Sequence, residues 1–191
     1  KLLSTKFLLK LKKEFHFPVS ILRLYLVYGP NQDENRVVPI TIKNAIKNNN
    51  FDCSSGLQYR DFLYIDDLIV AIFKTLKNKN SSGEIFNIGS GKPIKVKNLI
   101  LKICKQIGHG KPKFGIIKFR KDEIKKLYPS IKKAKSILGW KPKVNINLGQ
   151  RYLNYLMENE LVGPNLFFLT AAYNAGPGNL KKWREKIKSG S

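Results

Sequence analysis

Four short stretches of this 191-residue chain gather residue types able to bind phosphate or handle protons. In LRLYLVYGPNQDENRVVP (22–39) an apolar run ends in Tyr28-Gly29-Pro30, a sharp turn of the kind that sits at the carboxyl edge of a sheet, where open α/β folds bind ligands. In GLQYRDFLYIDDL (56–68) Arg60 stands beside Asp61. A guanidinium fork matches carboxylate oxygens, so on the residues alone Arg60 reads as half of a structural ion pair with Asp61. In IFNIGSG (85–91) Gly89 and Gly91 let the backbone approach a partner closely. In FRKDEIKKLYPSIKKAKSILGWKP (119–142) Arg120 and Glu123 precede a loop and a short helix. His16 and His109 have no acid or nucleophile near them in sequence, and Cys53 and Cys104 lack CxxC or Cys/His spacing, so no metal site is expected.

The elements that must hold these residues follow from apolar spacing. Leu3, Phe7, Leu8, Leu11 and Phe15 form a helical stripe over residues 2–15, closed by Pro18. Residues 19–28 read as one near-continuous apolar strand, of the kind covered on both faces in a parallel sheet. A helix is predicted over 37–48 and a short strand over 61–64. Asp66 and Asp67 then fall in the first turn of a helix through 68–77, where the macrodipole favours acids. A strand over 84–88 runs into the glycines, a helix covers 95–107, residues 113–119 are extended, and 130–138 form a last short helix. Strands alternating with helices of this length indicate an α/β fold. From Leu148 onward no strand pattern appears, and the chain divides into residues 1–148 and a helical segment 149–191.

Composition narrows the function classes. Hydrophobic residues at 42% exclude a disordered chain, and no apolar run reaches the roughly 18 residues of a membrane span. The 36 basic residues outnumber the 13 acidic ones for a formal charge of +23, but thirty of them are lysines spread over nearly every segment. Lysine is a hydrated point charge, whereas forked recognition of bases and phosphates favours arginine. The charge therefore reads as a solvated lysine surface with weak adhesion to polyanions. Cysteine usage fits a reducing cytoplasm, the expected compartment.

Taken together, LR-x4-YGP, RDF-x-YIDD, FNIGSG and KAKSILGWKP resemble the C-terminal half of the NAD(P)-dependent nucleotide-sugar epimerase/dehydratase family, the extended short-chain dehydrogenases/reductases. The resemblance covers residues 1–148 and implies the C-terminal part of a Rossmann-like fold without its Gly-rich dinucleotide-binding half. The interval from Lys1 to Arg23 matches the family interval from its active-site lysine, so Lys1 looks like that lysine, which also holds the cofactor ribose; its tyrosine partner is absent from this sequence. By the same resemblance Arg60 and Arg120 would clamp the two phosphates of a nucleoside-diphosphate sugar. Arg36 and Val38 would lie along the nucleotide, and Glu123 near its ribose. Asp66 and Asp67 would hold the helix start and the Arg60 loop. NAD or NADP is the cofactor of the intact family, whose members are often homodimers; this chain alone is not expected to bind it. Leu26 and Ser130 stand where the family usually has Asn and Asp.

Residues 146–186 resemble a different family. LGQRYLNYL and AAYNAGPG-x4-W look like the closing part of a lytic transglycosylase domain, which implies an all-α lysozyme-like tail with Tyr173 and Asn174 lining a glycan groove. That family's catalytic glutamate lies in a Glu-Ser pair, and no Glu-Ser pair occurs in the sequence. The arrangement reads as a chimera of two fragments joined near 144–150. Three function classes remain open: the sugar-nucleotide-binding part of an epimerase, dehydratase or reductase, inactive alone; a peptidoglycan lytic fragment; and a basic polyanion-binding module.

Overall fold

Every helix expected before residue 144 is present in the computed structural model, which describes residues 1–29 and 32–144. Two compact units are described in turn: residues 1–27, 59–94 and 126–144 form the first, and 28–58 with 95–125 the second.

The first unit opens with α1 (Leu2–Phe15), ended by His16 in the left-handed conformation. Its apolar stripe finds no full cover: no α1 residue is buried, and Leu3, Phe7 and Phe15 are exposed. The strand expected over 19–28 is broken into β1 (Ile21–Leu24) and β2 (Leu26–Tyr28). The break is a change of partner. β1 runs parallel to β6 (Ile85–Ile88) in the register Ile21↔Ile85 to Leu24↔Ile88, and β2 lies beside β5 (Phe62–Tyr64). Tyr25 sits at the joint and donates its N–H to the Ile88 carbonyl at 3.2 Å. Leu24 and Leu26 are exposed, so the strand is not covered on both faces as its composition suggests. A short parallel pair joins β4 (Tyr59–Arg60) to β9 (Lys126–Leu127), with β7 (Ile94–Lys95) beyond β4.

Helix α3 (Ile65–Lys77) starts three residues earlier than its apolar spacing predicts, yet keeps Asp66 and Asp67 in its first turn. With α5 (Lys132–Leu138) it closes the core of this unit. Leu63, Phe86, Ile88 and Trp140 are almost fully buried there against Leu68, Ala71, Ile131, Ala134 and Leu138. The indole N–H of Trp140 donates to the Asp67 carbonyl at 3.0 Å, so the largest buried side chain leaves no polar atom unmatched.

The second unit packs α2 (Val37–Ile46) on α4 (Val96–Ile107), with Ala45, Leu99 and Ile103 at the contact layer. Helix α2 stops two residues short of the predicted end, because Asn48 adopts φ +51°, a left-handed conformation that asparagine tolerates and a helix does not. β3 (Asn50–Cys53) pairs in parallel with β8 (Lys111–Phe114), from Asn50↔Lys111 to Cys53↔Phe114. The extended segment predicted over 113–119 lies earlier than expected and ends at Gly115, whose φ of +88° turns the chain out of the sheet. The β1–β6, β3–β8 and β4–β9 pairings are each parallel, in keeping with the α/β reading.

Phe86 lies at the centre of the first core, with Lys133 Nζ 5.7 Å from its ring centroid. Phe86→Ala is expected to destabilise the chain by about 3–5 kcal/mol, read as a lowered urea midpoint with an unchanged m-value.

Candidate functional site

Asp61, in the one-residue gap between β4 and β5, is fully buried. A buried carboxylate is costly unless its oxygens accept hydrogen bonds, and here both do. Oδ1 accepts the Ser90 N–H at 2.5 Å and Oδ2 the Gly91 N–H at 2.7 Å. The Asp61 carbonyl accepts the Leu26 N–H at 3.2 Å. One residue thus ties the turn after β6, the start of β2 and the β4–β5 ribbon together. Gly89 is required beside it, since a Cβ there would stand 2.5 Å from Pro129 Cγ and 2.9 Å from Asp61 Oδ1.

Arg60, next in sequence, is also buried, and its Nη1 donates to the Tyr59 carbonyl at 2.7 Å. The Asp61 carboxylate is thus engaged by backbone amides, and the Arg60 guanidinium is tethered to its own strand. An arginine fixed in this way loses less rotamer entropy when it takes a phosphate oxygen.

The same geometry bears on a dinucleotide. Successive backbone N–H groups in a glycine turn can hold a pyrophosphate. In Gly89-Ser90-Gly91 two of them are directed at Asp61, and the space a Cβ would take at Gly89 and Gly91 is filled by Pro129 and Ile131. This turn does not fit a dinucleotide pyrophosphate. The cofactor candidate Lys1 is exposed, and its carbonyl accepts the Thr5 N–H at 3.0 Å at the start of α1. One exposed ammonium does not make a cofactor site.

Asp67 repeats the arrangement of Asp61 at the head of α3. Its buried carboxylate accepts the N–H groups of Lys143 and Val144, each at 2.9 Å, fixing the segment after Trp140. Asp66 is exposed. The expectation that the pair holds the helix start and the Arg60 loop is corrected: no side chain caps α3, and the Asp67 carboxylate ties down the segment after Trp140 instead.

The remaining substrate candidates belong to the second unit. Arg36 precedes α2, is exposed, donates its N–H to the Asp33 carbonyl and accepts the Ile40 N–H, both at 3.0 Å. Val38 is buried in the first turn of α2, a packing position for its side chain. Arg120 is exposed, and Glu123, partly buried, donates its N–H to the Arg120 carbonyl at 3.1 Å across a tight turn. Tyr173 and Asn174 lie outside the described residues. Among the described residues no three His, Cys, Asp or Glu side chains gather as a metal site.

Cys53 and Cys104 are buried free thiols of this unit. Burial, with the charges of Cys104 and Asp52 adding, pushes the Cys53 thiol up to about 11, and burial raises Cys104 as well. Neither is a nucleophile at neutral pH.

Comparison with known proteins places the chain beside two families. Residues 1–89 match the NAD dependent epimerase/dehydratase family and residues 100–191 the Transglycosylase SLT domain. A putative UDP-glucose 4-epimerase of Methanocaldococcus jannaschii is 38% identical over 146 residues, 73% of this chain and 46% of that protein. CDP-abequose synthase of Salmonella muenchen is 32% identical over 140 residues, 72% of this chain and 47% of that protein. The structure of UDP-glucose 4-epimerase from Thermotoga maritima with UDP-glucose superimposes with a TM-score of 0.67 at 28% identity, over 79% of this chain and 49% of that one. The chain therefore spans about half the length of the relatives it matches, and its Rossmann-like α/β fold is theirs.

Two measurements test this chemistry. Asp61→Ala leaves two part-buried N–H groups without their acceptor and is expected to cost about 1–3 kcal/mol in urea unfolding, with faster amide exchange at Ser90 and Gly91. In the folded chain at pH 8, Cys53 is expected to react with iodoacetamide about 100-fold more slowly than a cysteine in an unstructured peptide, because its thiolate fraction is smaller by that factor.

Proposed function

We propose, from the resemblance of residues 1–148 to the C-terminal half of NAD-dependent epimerases and dehydratases, that this part of the chain is the sugar-nucleotide-binding portion of such an enzyme. Its ligand is a nucleoside-diphosphate sugar, and its arginines Arg60 and Arg120 are the phosphate ligands. The observation that carries this reading is Arg60: a buried guanidinium, fixed by the Tyr59 carbonyl, directly before the aspartate that locks the Gly89–Gly91 turn. Burial and fixation suit an anion ligand, since the planar guanidinium fork matches the geometry of phosphate oxygens.

In this reading the chain holds substrate and supplies no redox chemistry alone. The glycine turn does not fit a dinucleotide, and the sequence has no G-x-x-G-x-x-G after a strand. Lys1 is proposed to be the lysine that, in a longer protein, stands beside a catalytic tyrosine, where an ammonium favours the phenolate. Epimerisation, dehydration and reduction all call for a tyrosine that can exchange a proton in this way. Residues 149–191 are proposed as a lytic-transglycosylase-like helical segment, a second reading favoured by the Transglycosylase SLT match.

Calorimetric titration of the chain with UDP and dTDP separates these readings. Binding is expected, and Arg60→Ala or Arg120→Ala is expected to weaken it at least about 10-fold, the worth of one charge-assisted phosphate contact. Unchanged affinity in both variants would remove the phosphate-clamp assignment, and release of anhydro-muropeptides from sacculi would instead support the tail as the active part.

A further inference from the structure

The loop after β8 carries a surface that sugar-nucleotide binding leaves unexplained. Residues 115–122 are exposed without interruption. Within and just after that run, Ile116 is 59%, Ile117 54%, Phe119 36% and Ile124 57% exposed. Large apolar side chains in water are common singly; four exposed within nine residues of one loop make a candidate docking surface.

The loop's backbone is held while these side chains face solvent. The Ile117 N–H donates to the Cys53 carbonyl at 3.1 Å, and the Glu123 N–H closes a turn on the Arg120 carbonyl. The patch is thus built into the fold and loses little entropy when it is covered.

Charge decides what covers it. Residues 111–125 hold six basic residues, Lys111, Lys113, Lys118, Arg120, Lys121 and Lys125, against Asp122 and Glu123. Lys97 adds a seventh cation, its Nζ 4.9 Å from the centroid of the Phe114 ring at the end of β8. A second copy of a chain with formal charge +23 is repelled from such a surface. Docking sites for folded proteins are depleted in lysine, and five of the six basic residues here are lysines. A lysine-rich rim around isoleucine and phenylalanine suits a phospholipid headgroup layer, where long stems lie along the acyl boundary and ammonium groups remain in water.

We propose that the 115–124 loop docks the protein on anionic phospholipid membrane, with Ile116, Ile117 and Phe119 entering the headgroup boundary and the surrounding lysines meeting the lipid phosphates. This is peripheral attachment; no described helix is long and apolar enough to cross a membrane. The loop shares Arg120 with the proposed phosphate ligands, so the side chains tested are Ile116, Ile117 and Phe119, which are not among them.

The test is co-sedimentation of the full chain with phosphatidylglycerol-containing vesicles and with pure phosphatidylcholine vesicles. Binding is expected to the anionic vesicles only, weakening at least about 10-fold between roughly 50 and 500 mM salt. The Ile116→Ser, Ile117→Ser double variant is expected to lose vesicle binding at least about 10-fold while eluting from heparin at the parent's salt concentration, since its charge is unchanged. Equal binding to neutral vesicles, or undiminished vesicle binding by a variant with parental circular dichroism, overturns the proposal. Should that variant unfold, Phe119→Trp replaces it: tryptophan emission beyond the parent's is expected to be quenched by brominated phosphatidylglycerol, and absence of quenching overturns the proposal equally.

Discussion

The first unit depends on one constraint: a carboxylate removed from water must have its oxygens satisfied. Asp61 meets it with two consecutive N–H groups of the Gly89–Gly91 turn, and its neighbours follow from that choice. Gly89 has no room for a side chain, Pro129 and Ile131 close over the turn, and Leu26 is placed through the Asp61 carbonyl. Asp67 applies the same solution to the segment after Trp140. Two buried carboxylates, each paired with two backbone donors, take the part that disulfides or metals have in other small folds. Removing a donor would leave a buried carboxylate oxygen unmatched, which costs more than the bond itself contributes.

How much of this was legible depends on the kind of signal. Helices α1, α2, α3, α4 and α5 followed from periodicity; the end of α2 moved because of a backbone preference at Asn48, and the start of α3 lies three residues before its apolar spacing begins. The strand over 19–28 was visible as apolar composition, but its division at Tyr25 was not, because a change of partner from β6 to β5 leaves no mark on hydropathy. β3, reading Asn-Phe-Asp-Cys, carries almost no strand propensity and exists through its pairing with β8. At the site, the arginine and the glycines stood out by type. What Asp61 binds could not be read from adjacency, since its donors lie about thirty residues away. An Asp between two apolar strand segments, followed at long range by a glycine turn, is the sequence signal of this lock.

The lysine excess has a similar lesson. Among the described residues no lysine is buried, whereas Arg60, Asp61 and Asp67 are. The charges that organise the fold are therefore a small subset, and the formal +23 is nearly all solvated surface. Such a surface sets solubility and the sign of the partners it meets, but it does not specify a ligand. Specificity resides where charge is fixed, as at Arg60, or where it borders apolar side chains, as around Ile116 and Ile117.

Residues 100–144 carry the sharpest conflict, because the Transglycosylase SLT match begins at residue 100 while the epimerase-type relatives match 140 residues or more and so reach well beyond residue 89. Packing decides between them for the described stretch. Helix α4 rests on α2, β8 lies parallel to β3, and α5 joins Phe86 and Trp140 in one core. Each contact joins this stretch to residues before 100, and parallel strands have no place in an all-helical lysozyme-like segment. Residues 100–144 therefore fold with the α/β part. What distinguishes the tail must lie after Val144, where LGQRYLNYL and AAYNAGPG stand in the sequence.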